Sequence, residues 1–346
     1  MNFNPMTIPG LEPRPAWWKV RPAEISEACE AVRKGQNLVI ARTPGGYPVH
    51  AVFYGDFSEP APQTNWSAGS AAGTDCYYRR NGMPQTFVWC AGIHGAEAEG
   101  VAFAVNLLEL LEHGKDLLGR RHDHLLELLS KYRLVILPCV NMDGRAISPD
   151  HLHGVPYEEF RRVSQGSWRD GSLIGWLGSK EYFPLPLTRV AYPGGYPNSE
   201  GFNIMHDACP GHIRTAEARA VLQLAERYAV DFLLNAHSCE GEPTLLPPSE
   251  FAYKSHINRG LEICRTVNQA MFDAGLRHTP PSEPVAGNNV NLNNLIALAS
   301  GGLALTLECS VWAELSFEQL LDVNFLTLEN LLESGLQKPF VNRHAL

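Results

Sequence analysis

No apolar run in this sequence approaches the roughly 20 residues that a membrane-spanning helix needs; the longest, such as Leu134 to Val140, stop far short. Clusters of Lys and Arg are missing as well, and the net charge is −9. That balance speaks against nucleic acid or an anionic membrane as the main partner. No C-x-x-C pair occurs among the eight cysteines, which sit mostly inside apolar segments. They read as reduced, buried thiols rather than as a disulfide framework. The stretch from Met1 to Trp18 holds Pro and Asn and lacks a basic region followed by an apolar one. No secretory signal is expected there, and a cytoplasmic location is. No low-complexity linker divides the 346 residues, of which 45% are hydrophobic, so 1–346 is expected to be one domain.

What is present is an alternation of periods. Residues 22–34 carry Ile25, Ala28, Cys29 and Val32 at helical spacing. Residues 37–42 and 47–54 read as two strands around Pro44-Gly45-Gly46, a hairpin signal. Residues 55–82, rich in Ser, Gly, Ala, Pro and Asn, read as an irregular connection. Buried strands are expected at 86–93, 134–140, 230–236 and 303–307, and helices at 98–113, 216–228 and 256–274. Ser316 with Gln319 makes a capping box for a last helix that Gly335 can end. Strands alternating with helices imply crossovers and a largely parallel sheet. The opening hairpin adds an antiparallel edge. The expected fold is α/β: a mixed, mostly parallel central sheet with helices on both faces. Within it, 1–80 supplies the first helix, the edge hairpin and the irregular connection. The stretch 145–212, with many Gly, Pro and aromatic residues and little periodicity, reads as an insertion that shapes a pocket.

Three strands run into side chains suited to metal binding or proton transfer. Phe87 to Ile93 leads into His94-Gly95-Ala96-Glu97, Phe232 to Ala236 into His237, and Leu303 to Leu307 into Glu308. In open α/β sheets, ligands bind beyond the carboxyl ends of the strands. H-x-x-E alone is weak: it occurs three times, at His94/Glu97, His124/Glu127 and His237/Glu240. Context separates them. His124/Glu127 lies in a helix with charged flanks and reads as a solvated face. His94 follows a strand, and Gly92 and Gly95 allow the chain to turn there. His94, Glu97 and His237 then form a His/Glu/His donor set of the kind that catalytic zinc sites use, with Glu308 as a candidate base.

These residues resemble the zinc carboxypeptidase family, whose motif is H-x-x-E after a strand, a distant His after another, and a Glu at the end of a third. Val140-Asn141-Met142-Asp143-Gly144 resembles the family's V-N-P-D-G, Thr306-Leu307-Glu308 its T-x-E, Thr215 to Ala220 the helix start before its third ligand, and Gly46-Tyr47-Pro48-Val49 its G-R-P-I. The resemblance implies the family's phosphorylase/hydrolase-type sandwich. It also implies one zinc per chain on His94, Glu97 and His237, and hydrolysis of a peptide or amide bond with Glu308 as general base. An Arg after an aromatic would stabilise the oxyanion. Phe160-Arg161 fits best, with Arg162 and Trp168-Arg169 as rivals.

Departures from the family point to an atypical substrate. Gly201-Phe202-Asn203-Ile204-Met205-His206 stands where the family has G-x-D-x-N-R. Asn203 can still accept a bond from the His94 ring. His206 could grip a carboxylate only when protonated. The family's loop Tyr has no match in the Asn-rich stretch 287–294, whose amides read as turns or as the lining of a polar pocket. Aspartoacylase-like deacylases share the G-x-H-G-x-E segment, so N-acyl amino acids stand beside peptides as substrates. A zinc-binding protein without activity is the third reading.

Overall fold

The computed structural model describes residues 3–58, 83–312 and 314–341. Seven strands form one sheet in the order β1 (Gln36–Arg42), β2 (Pro48–Tyr54), β4 (Arg133–Leu137), β3 (Thr86–Ala91), β7 (Phe232–Cys239), β9 (Leu303–Ser310), β8 (Thr244–Leu246). The hairpin β1–β2 pairs antiparallel and joins β4 antiparallel. β4, β3, β7 and β9 are parallel, and β8 closes the far edge antiparallel. The sheet is therefore mixed with a parallel centre, as expected. Every residue of β3 and β4 is buried, which is why both read as unbroken apolar runs.

Alternation along the central strands divides the core in two. Phe87, Trp89, Phe232, Leu234, Leu305 and Leu307 face one side. There they pack under α1 (Pro22–Glu30), α2 (Glu99–His113), α3 (Asp123–Leu129), α8 (Lys254–Asp273) and α10 (Phe317–Gln337). Val88, Cys90, Leu233 and Ala304 face the other, covered by α7 (Ala216–Arg227) and α9 (Leu292–Ser300). Asn235 and His237 continue the Leu233 face, and Thr306 and Glu308 the Ala304 face. From β3 the chain goes to β4 on one side and later returns to β7 on the other. The crevice at the ends of β3 and β7 is thus a topological switch point, where sheets of this kind hold ligands.

Several boundaries differ from the sequence reading. β7 runs through His237 to Cys239 and β9 through Glu308 to Ser310, because their ladder continues past the apolar residues, pairing His237 with Glu308 and Cys239 with Ser310. Gly335 lies inside α10 instead of ending it. A Cβ there would overlap the rings of Tyr132 and Phe340, so its smallness serves close packing. The Ser316–Gln319 capping box is present. The stretch 145–212 is less irregular than expected. After α4 (Met142–Ile147) it holds α5 (Tyr157–Gln165), α6 (Gly175–Ser179) and a small antiparallel pair, β5 (Ser167–Trp168) with β6 (Val190–Tyr192). Of the expected connection 55–82, residues 59–82 lie outside the described residues. The seven described cysteines are all free. Among the described residues, no helix is long and apolar enough to cross a membrane.

α7 starts on a Thr215 cap with Glu217 in its first turn, wholly buried. Asn198 donates to one Glu217 oxygen at 3.2 Å, while Oε2 has no partner. Burial pushes this carboxyl up to about 7. The native state therefore holds the proton more tightly than the unfolded chain does, and stability falls as pH rises from about 4.5 to about 7. Glu217→Gln removes that loss. Urea titration should show the variant more stable than wild type at pH 8, by on the order of 2 kcal/mol, with the difference vanishing near pH 4.

Candidate metal centre

Beyond the end of β3 the chain must turn sharply. Gly92 has φ +61°, a left-handed conformation that favours glycine. At Gly95 a Cβ would overlap the backbone of Gly144 and Arg145. The turn brings Glu97 back beneath His94. His94 Nδ1 lies 3.0 Å from Glu97 Oε1, and His237 Nδ1 lies 2.8 Å from Glu97 Oε2. The three side chains are 3–4% exposed, and their donor atoms all lie within 4.8 Å of one another. One carboxylate between two imidazoles holds its own proton weakly. Burial alone would push Glu97 up, but the two rings outweigh it and hold the carboxyl down to about 2. Burial pulls His94 down, and His237 rises because Glu97 outweighs its burial.

The donor set fits a divalent cation. It supplies two ring nitrogens and a carboxylate oxygen, the composition of catalytic zinc sites. His94 is oriented from behind: Nε2 faces Asn203 Oδ1 at 3.2 Å, so the ring donates there and leaves Nδ1 toward the cluster. Asn203 in turn donates to the Ser179 carbonyl at 2.8 Å, and Tyr196 stacks on the His94 ring at 3.9 Å. His237 Nε2 is buried with no hydrogen-bond partner.

A cavity of about 480 Å³ opens over the cluster, and Glu308 stands in its wall. The β7–β9 register places Glu308 opposite His237, on the same face of the sheet. Burial pushes its carboxyl up to about 8; Glu97 and Glu240 add to this, and His237 opposes it. A divalent charge among the three ligands acts in the opposite direction, toward the ionised form.

The arginine rivals separate cleanly. Arg161 lines the cavity, with its guanidinium 5.6 Å from the Tyr157 ring centroid. Arg162, the next residue on α5, is not among the lining residues and pairs with Glu159 at 3.5 Å. Arg169 is exposed and also outside the cavity. His206 does line it, but burial pulls the ring down to about 3, so it is neutral near pH 7 and offers no cation to a carboxylate. His124, read as solvated, is exposed on α3 and pairs with Glu333 at 2.8 Å, far from the sheet edge.

Sequence reasoning did not single out Gln165, Trp176 or Tyr196, which also line the cavity. Gln165 lies four residues after Arg161 on α5, so both sit on one helix face. Its Oε1 is buried without a partner. Only knowledge that 157–165 is helical could have paired the two.

Residues 39–170 match the zinc carboxypeptidase family model, Peptidase_M14. No curated protein matches the chain in sequence. Among solved structures, the chain is similar to a metallo-carboxypeptidase from Burkholderia cenocepacia at 17% identity and TM-score 0.55, covering 91% of this chain and 68% of that one. It is similar to a metallo-carboxypeptidase from Pseudomonas aeruginosa at 17% and 0.51, covering 90% and 67%. It is also similar to bovine thrombin-activatable fibrinolysis inhibitor at 13% and 0.54, covering 93% and 99%. At these identities the structural likeness is one of fold. The motif resemblance to zinc carboxypeptidases stands beside a family match that covers residues 39–170.

Elemental mass spectrometry of the purified chain should find zinc, lost in His94→Ala and in His237→Ala. Asn203→Leu, which removes the partner of the ligand ring along with its bonds to Ser179 and Met205, should weaken zinc affinity by about 10- to 100-fold in a chelator competition.

Proposed function

We propose that the protein hydrolyses peptide or amide bonds in a carboxypeptidase-like way, with zinc on His94, Glu97 and His237, Glu308 as general base, and atypical substrate recognition. The observation that carries this reading is the pairing of His237 with Glu308 across β7 and β9, which puts a carboxylate beside the donor cluster on one cavity wall. A cation held there supplies Lewis acidity toward a carbonyl and makes a water more acidic.

The chain's own residues do the rest. Glu308 takes the proton of the attacking water at its carboxylate and passes it to the departing amine. Arg161 offers fixed N–H donors from the opposite wall, where negative charge develops on the carbonyl oxygen. Gln165, one turn further along α5, presents an unpaired carboxamide oxygen to a substrate N–H. Trp176 stands edge-on to His94 and to His206, 6.5 and 5.9 Å between centroids, and gives the cavity an aromatic side.

Glu308→Gln should lower turnover by about 10²- to 10⁴-fold on a peptide panel while zinc content stays at the wild-type level. Turnover retained in that variant would remove Glu308 from the role of base. Arg161→Ala should lower kcat by about 10²- to 10³-fold with little change in KM. Zinc bound with no hydrolysis across peptides and N-acyl amino acids would favour a binding protein instead.

A further inference from the structure

Beside the metal cavity lies a second one of about 310 Å³. The two share Leu246, Asn289, Asn291 and Thr306, so they lie side by side. The stretch 287–294, read from the sequence as turns or as pocket lining, does both. Asn291 caps α9, and Asn288, Asn289, Asn291, Asn293 and Asn294 line this side cavity.

Its polar groups are held in a fixed order. Asn235, two residues before His237 on the same face, donates to Asn293 Oδ1 at 3.1 Å. Asn293 donates to Thr306 Oγ1 at 2.9 Å. With Oγ1 already accepting, the Thr306 hydroxyl keeps its proton for another acceptor. Asn291 uses its carbonyl oxygen on the Asn293 N–H, which leaves its NH₂ donors uncommitted. The rest of the wall is largely apolar, with Leu246, Pro248 and Val285 among it, and also holds Ser249 and His256. No Lys, Arg, Asp or Glu lines this cavity among the described residues. Around the adjoining metal cavity, Glu97, Glu240 and Glu308 balance the combined charge of Arg161 and a divalent cation. A carboxylate entering the side cavity would give up part of its water and meet no Lys or Arg there, whereas a carboxamide would meet oriented neutral donors.

We propose that this asparagine-lined cavity is the subsite for the leaving side of the substrate. It takes an uncharged, hydrogen-bonding group, so that the residue beyond the scissile bond carries its carboxyl as an amide, either within a longer peptide or at an amidated end. The inference rests on the hydrolase reading above and specifies its substrate class. Free C-terminal carboxylates and N-acyl amino acids are then poor substrates.

The probes are benzoyl-glycyl-asparagine and its C-terminal amide. Calorimetry on zinc-loaded Glu308→Gln protein reads binding without turnover, and kcat/KM is measured on the wild type. The amide should bind at least tenfold more tightly than the acid and show a similar advantage in kcat/KM. Thr306→Val, which keeps the side-chain shape and removes the hydroxyl donor, should remove most of the amide's advantage. Asn289→Lys, at an exposed position, should raise affinity for the acid and reverse the preference, a gain that misfolding cannot produce. Equal or tighter binding of the acid by the wild-type subsite, or binding of neither probe, overturns the proposal. Amide-selective binding with no cleavage of either probe by the zinc-loaded wild type would leave the subsite standing and remove the hydrolase reading.

Discussion

The candidate site depends on the register between parallel strands. β3, β7 and β9 are neighbours in the sheet and run the same way, so their carboxyl ends meet at one edge. Period-two alternation then assigns His237 and Glu308 to one face, side by side, while Leu234 and Leu307 fill the core on the other. A slip of one residue in β9 would send Glu308 into the core and Leu307 to the cavity. The large apolar face holds the register, and the register holds the chemistry. Glu97 contributes by joining two rings that come from opposite sides of the switch point.

How much of this could be read from the sequence varied with burial. The central strands were legible because each is apolar on both faces. Their ends were not, because β7 and β9 continue by hydrogen bonding through His237-Ser238-Cys239 and Glu308-Cys309-Ser310, where apolarity has already stopped. α5 was invisible for the opposite reason. Its apolar residues are few, Phe160 and Val163 among charged neighbours, so its period does not stand out. The metal donors and Glu308 were legible because strand context and motif agreed on them. Gln165, Asn235 and Asn293 carry no motif, and only their positions in space show that they share a wall or a hydrogen-bond chain.

The departures from the carboxypeptidase pattern also gain a physical meaning. Asn203, in place of an Asp, still accepts from the His94 ring but brings no charge to it. Met205 is buried, and its sulfur accepts from Asn235, so the position has become part of the core and of the amide chain. His206, held neutral, sits where a cation is absent. Of these changes only His206 takes a positive charge from that side of the cavity, while Asn203 takes a negative one, and the neutral lining beside it is consistent with a site that carries less charge of either sign.

The cavity has two walls of different origin. One is the sheet edge. The other is the stretch from α5 to His206, which is tied to the turns after β3 and β4 by polar contacts that include Gly95 to the Gly195 carbonyl at 2.7 Å, Asn141 to the Tyr196 carbonyl at 2.9 Å, and His94 through Asn203 to Ser179. The ring that would hold the metal is thus also a fastener for the substrate wall. By linkage, an interaction that fixes the His94 ring and one that fixes Asn203 and Ser179 would reinforce each other, so metal affinity and substrate contact on that wall would be coupled.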